Sequence, residues 1–145
     1  MTMLKKMREN KKKGFTLVEL IVVLVILAIL AALLIPALTG YIDKARRKSV
    51  VAETRQAVMA AQTIADEEYV KKSDYKFGAD GTDATEIKKV TDLAELKDGS
   101  IDKITVESGK VTELTYHNDT KTCTYTKGKT DGTDGAYDVA DVSGN

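Results

Sequence analysis

The sequence predicts an α+β protein: a long N-terminal helix, transmembrane in its first half and amphipathic in its second, with a small antiparallel β-sheet packed on the second half. Three observations predict it. Of the 21 positions in residues 15–35, 19 are Ala, Val, Ile, Leu or Phe. Apolar residues then recur at helical spacing in a stretch without Pro or Gly, and beyond residue 73 the pattern turns to short alternating segments. The length, 145 residues, suits one modest domain. The formal net charge of +0 averages very unequal parts, because Lys5, Lys6, Arg8, Lys11, Lys12 and Lys13 oppose only Glu9 in residues 1–14. Four segments follow: a basic head (1–14), an apolar run (15–35), a charged helical stretch (36–72) and a polar, acidic remainder (73–145).

The apolar run meets no turn signal before Pro36. Twenty-one helical residues rise about 32 Å, the thickness of a bilayer's hydrocarbon core. A cleaved secretory signal is the alternative, but it needs an apolar core of only about 7–15 residues followed by a small-x-small site. The nearest candidate here, Ala37-Leu38-Thr39, lies just behind a proline. Six basic residues before the run, against Lys44, Arg46, Arg47 and Lys48 after it, favour a cytoplasmic N-terminus.

In the next stretch Val50, Ala57, Val58, Ala61, Ile64 and Ala65 fall on one helical face. If this helix continues the membrane segment it is far too long for so small a domain to bury, so one half must be covered by lipid or by neighbouring copies. Pro36 and Gly40 mark the expected kink between the halves, since Pro36 removes a donor to the carbonyl of Ala32.

From residue 73 onward only 22 of 73 residues are apolar or aromatic, so the core there must be thin and the loops long. Ile104 with Val106, Leu114 with Tyr116, and Cys123 with Tyr125 alternate with polar neighbours. Ser108-Gly109 and Asn118-Asp119-Thr120 supply turns, so the simplest assignment is a meander of about three strands. Residues 84–96 permit a short helix. The Gly-rich acidic tail reads as loop, with a short edge strand around residues 136–142.

The residues Lys11-Lys12-Lys13-Gly14-Phe15-Thr16-Leu17-Val18-Glu19-Leu20 resemble the leader and mature N-terminus of type IV pilins and the related pseudopilins. The resemblance is close over about residues 5–40 and reaches about residue 72 only through the long-helix pattern. It implies that a membrane prepilin peptidase cuts between Gly14 and Phe15 on the cytoplasmic face and N-methylates Phe15. Glycine leaves the backbone accessible there, and the lysines before it hold the junction at the headgroup surface. Cutting also discards the basic head, which frees the chain to be drawn outward.

Glu19 is the most informative single residue. A carboxylate in an apolar segment costs about 2.5–3.5 kcal/mol on insertion scales and calls for a partner, which nothing inside the run offers. The resemblance implies that the partner is the new α-amino group of Phe15 on an adjacent subunit, so that processing precedes assembly. The alternative is that Glu19 snorkels to the cytoplasmic interface. The other apolar side chains would then pack helix on helix in a filament, or else serve as a lipid anchor alone.

Other candidate sites are weaker. One histidine and one cysteine, His117 and Cys123, fall on adjacent expected strands, but strand parity sends them to opposite faces unless a three-residue loop intervenes. No catalytic residue is assigned, the chain is read as a non-enzyme, and Cys123 is read as a small core residue. Asp131, Asp134 and Asp138 lie in Asp-Gly loops of a kind that can bind calcium, as some secretion pseudopilins do, but such loops are equally solvated turns. No cofactor is required otherwise. The cluster Lys44, Arg46, Arg47 and Lys48 suits contact with headgroups, a charged band between subunits, or a solvated helix face. Nothing beyond it suggests nucleic-acid binding.

These readings converge on a structural subunit of a type IV pilus-like filament. Its partners would be copies of itself, other minor pilins, the prepilin peptidase and the membrane assembly platform. It would sit as a single-pass membrane protein with a cytoplasmic N-terminus before assembly and on the cell surface afterwards. Two alternatives are a pseudopilin of a type II secretion or DNA-uptake machine and a membrane-anchored binding domain that never polymerises. The paired C-terminal cysteines of many pilins are absent, which hints at a Gram-positive source.

Overall fold

A computed structural model describes residues 14–142. The elements run α1 (Leu17–Lys71), α2 (Ala84–Leu93), β1 (Ile101–Glu107), β2 (Lys110–His117), β3 (Lys121–Thr126) and β4 (Tyr137–Asp141). The molecule is α+β as expected, with the strands in one antiparallel sheet of order β1-β2-β3-β4. The meander has four strands rather than about three, because the expected edge strand in the tail pairs fully with β3 through Tyr125↔Tyr137, Cys123↔Val139 and Lys121↔Asp141. Helical assignment is unbroken through Pro36 and Gly40, and Thr39 Oγ1 donates to the carbonyls of Ile35 and Pro36 at 3.0 and 2.9 Å. All of the basic leader except Gly14 lies outside the described residues.

The chain divides into two compact units, Met1–Ile42 and Asp43–Asn145. Within the first, every described residue is exposed. Among the described residues, the apolar side chains of this unit stand uncovered.

The second unit holds the core. On α1, Val50, Val51, Thr54, Ala57, Ala60, Ala61, Ile64 and Ala65 are buried, and Val58 is partly so. Four of these eight residues are alanines, so much of the buried face of the helix is built from small side chains. From the sheet come Ile101, Ile104, Val106, Val111, Leu114, Tyr116, Cys123 and Tyr137; α2 adds Ile87 and Val90, and the loop before it adds Phe77. Two register shifts in the β1–β2 ladder, between Ile101 and Lys103 and between Thr105 and Val106, reset the pleat so that Ile101 and Val111 also turn inward. Strict alternation from Ile104 and Leu114 would have placed both outward.

Two glycines are required by close approach. Gly81 has φ +80°, and its carbonyl accepts from Ile104 N at 2.9 Å; a Cβ there would stand 2.3 Å from the Ile104 carbonyl oxygen. Gly109, in the two-residue β1–β2 turn, has φ +76°, and a Cβ would meet the Tyr69 ring at 2.9 Å. Asp83 caps α2, its carboxylate accepting from the N–H groups of Thr85 and Glu86.

Candidate functional site

The apolar half of α1 begins with a capping box. Thr16 immediately precedes the helix; its Oγ1 accepts from Glu19 N at 3.2 Å, and Glu19 Oε2 accepts from Thr16 N at 3.5 Å. This corrects the expectation that Glu19 has no partner within the run. The sequence signal for it is the Thr-x-x-Glu spacing at residues 16–19. At 3.5 Å the reciprocal bond is long. It leaves most of the acceptor capacity of an exposed carboxylate unused. Phe15, 84% exposed, and Gly14 stand just ahead of the cap, outside the helix and open to an enzyme.

From Leu20 to Ile42 the sequence carries no charged residue. Among the described residues this is the one helix long and apolar enough to cross a membrane. The region therefore offers an exposed Gly14–Phe15 segment, one carboxylate near the helix start and an unbroken apolar surface.

The second unit is tied together by polar contacts that sequence reading missed. Glu53 Oε2 accepts from the Tyr116 hydroxyl at 2.7 Å and from Asn118 Nδ2 at 3.1 Å, while Ser49 donates to its other oxygen. Burial, reinforced by Glu53, pushes the Tyr116 hydroxyl well above its ordinary pKa, so it stays protonated and donating. Gln62 binds the β1–β2 turn with both ends of its amide: Nε2 donates to Gly109 O and Oε1 accepts from Val111 N, each at 2.9 Å. Lys121 is buried between Asp43 on α1 and Asp141 on β4, which raises its pKa, and hydrogen bonding from Lys121 lowers that of Asp43. No sequence signal marks the contacts of Glu53, Gln62 and Asp43 on α1 with the sheet and its turns, whose partners lie 47–78 positions apart.

Each remaining candidate can be placed. Cys123 is fully buried opposite Tyr116, and burial pushes its thiol pKa up. His117 pairs with Thr122 one position on, so it faces the other side of the sheet, where Nδ1 lies 3.0 Å from Asp102 Oδ2. The two are not brought together. Asp138 pairs with Lys129 and accepts weakly from Thr133 N at 3.4 Å. Among the described residues no three His, Cys, Asp or Glu side chains gather as a metal would require, so Asp131, Asp134 and Asp138 do not form a common cage. Lys44, Arg46 and Lys48 are exposed and Arg47 is half-buried.

The class of the N-terminal region follows from comparison with known families. Residues 10–35 match the family described as the prokaryotic N-terminal methylation motif. This is the signature of type IV pilins and pseudopilins, and its span contains Gly14, Phe15, Glu19 and the whole apolar run. No curated protein and no solved structure matches the chain significantly.

Proposed function

We propose that the chain is the precursor of a structural subunit of a type IV pilus-like filament. It is cut between Gly14 and Phe15, N-methylated at Phe15, and assembled through residues 15–42 into a fibre that displays the sheet domain at the cell surface. Before assembly it crosses the membrane once, with its N-terminus in the cytoplasm. The observation that carries this reading is the methylation motif lying on a helix whose apolar side chains stand exposed among the described residues. Lipid covers them first, and like helices cover them afterwards, both surroundings being equally apolar.

Glu19 is assigned to docking. Cleavage creates an amine at Phe15, and the carboxylate of an incoming neighbour neutralises it in a medium where either charge alone is costly. The capping box gives Glu19 a second, local use, so its presence alone does not separate a filament subunit from a plain membrane anchor. Two variants do separate them. Thr16→Ala disrupts the cap and keeps the charge, whereas Glu19→Gln removes the charge and keeps an acceptor for the cap. Filaments sheared from cells and weighed by mass spectrometry should begin at methylated Phe15, persist in Thr16→Ala and disappear in Glu19→Gln. Persistence in Glu19→Gln, or recovery of the intact basic head from fibres, would sink the reading.

A further inference from the structure

The basic cluster that follows the apolar segment is used by nothing described so far. Of the lysines from Lys71 to Lys129, all but Lys76 and Lys127 make an ion pair. Lys44, Arg46, Arg47 and Lys48 make none among the described residues, although they sit in a chain whose residues 73–142 are strongly acidic. The one carboxylate among them in sequence, Asp43, is engaged by Lys121. The four cations therefore form no ion pair of their own, and the nearest carboxylate in sequence, Asp43, which Arg47 and Arg46 help to hold ionised, is already bonded to Lys121.

Their position in the chain says which counter-charge they meet. The charge-free interval 20–42 is 23 residues long, about 34 Å of helix, and it ends in Tyr41, 71% exposed, the residue type that settles at a membrane interface. Glu19 closes one end of that interval. Beyond the other end, Lys44 follows within two residues of Ile42 and Lys48 within six, about 3–9 Å at helical rise, which is the depth of a headgroup layer. Cations on a translocated flank also work against the orientation that the basic leader sets. Once the leader is cut away no Lys or Arg remains between Phe15 and Ile42, so this cluster becomes the basic flank of the span.

We propose that Lys44, Arg46, Arg47 and Lys48 form a collar that binds anionic phospholipid headgroups where the apolar helix leaves the bilayer, holding the processed subunit at that surface until it enters a filament. This rests on the membrane-spanning precursor proposed above. Helical geometry spreads the four side chains around the axis, with Lys44, Arg47 and Lys48 on one side and Arg46 on the other, so several lipids are bound rather than one. The long side chains reach phosphates while their stems lie along the apolar helix. Pulling the subunit into a fibre exchanges these headgroups for water or for a neighbour.

The test uses the mature chain, residues 15–145, in lipid discs of mixed phosphatidylglycerol and phosphatidylcholine, without any assembly machinery. Lipid retained by the purified chain is measured for the wild type, for the wild type in 0.5 M salt, and for the quadruple variant K44Q/R46Q/R47Q/K48Q. The expected result is retention enriched for phosphatidylglycerol by about fivefold or more, largely lost in high salt and in the variant. The salt arm needs no mutation, and a wild-type melting temperature shows the variant to be folded. Equal retention of both lipids by the wild type, or unchanged enrichment in the variant, overturns the collar. In a parallel assay in cells that carry the assembly machinery, a variant that keeps the disc enrichment but forms no filaments overturns it too, because the cations would then face acidic groups of a second copy. Failure of the filament reading would instead appear as absence of fibres from the wild type, with the lipid ratio untouched.

Discussion

The two parts of α1 are built on opposite rules. Residues 17–42 are almost purely apolar and bury nothing, whereas residues 43–71 are rich in charge and bury a continuous face. In the first part a side chain's value lies in what is outside the chain, in lipid or other copies. In the second it lies in the sheet that the same chain supplies. Large Val, Ile and Leu side chains suit an open surface that any apolar neighbour can cover, while Ala57, Ala60, Ala61 and Ala65 suit one fixed partner at short distance. On the proposed reading, one helix serves both as a transferable anchor and as the spine of a folded domain.

The largest effect expected from breaking this contrast is at Glu19. Glu19→Ala should still be cleaved, should melt at the wild-type temperature, and should lower filament yield on the order of tenfold or more, given the cost of an uncompensated charge in apolar surroundings. Yield is read by shearing and quantifying surface fibres. A wild-type yield would show that the apolar contacts alone drive assembly.

Next comes a matched pair of truncations. Leu114 is fully buried under α1, so Leu114→Ala should cost about 2–5 kcal/mol in chemical unfolding of the domain. Leu24 is 57% exposed, so Leu24→Ala should leave that unfolding curve where it was and act on assembly alone. A shift in both curves would mean that the two units do not unfold independently.

The sequence showed the helix, its buried face and the methylation motif because each rests on local pattern: a continuous apolar run, a period of 3.6 residues, and the string from Lys11 to Leu20. It also placed the turns at Ser108-Gly109 and Asn118-Asp119-Thr120, but parity left the facing of His117 and Cys123 open to loop length, and the Tyr116↔Cys123 register decides it. Ile101 and Val111 were not legible as core, because bulges break the two-residue period just where they sit. The Glu53, Gln62 and Lys121 contacts were hidden for another reason. Each joins α1 to a strand far along the chain, and a lone Glu or Gln on a helix face looks the same whether it meets water or a β-turn.

A smaller effect is expected where one of those contacts is removed. Gln62→Leu keeps the volume and the helix but leaves Val111 N and Gly109 O without their side-chain partner, at a cost of about 1–3 kcal/mol. Hydrogen exchange should quicken first at Val111, whose amide proton Gln62 holds, before the strand centres change. Protection unchanged at Val111 would mean that water replaces the amide without loss.

The smallest effect concerns pH and the Asp43–Lys121–Asp141 group. Hydrogen bonding holds Asp43, Glu86 and Asp138 below the ordinary carboxylate range, through Lys121, Tyr75 and Lys129 respectively. A lowered native value means that the unfolded chain binds more protons near pH 4, so this stabilisation is present above that range and is lost as pH falls through the native values. Lys121 is shifted the other way, upward, so its own contribution is complete below about pH 10 and fades only as pH rises through its raised native value. The acid branch therefore comes from the carboxylates. Because these carboxylates are solvent-facing, the slope should be shallow. Melting temperature followed from pH 7 to pH 3 should fall in the wild type and fall less steeply in Lys121→Gln, where Asp43 has lost the cation that depresses it. Parallel curves would show that Lys121 fixes the position of β4 against α1 without contributing to the acid response, and would leave the pH dependence to the other lowered carboxylates, Glu86 with Tyr75, Asp138 with Lys129 and Asp80 with Thr82.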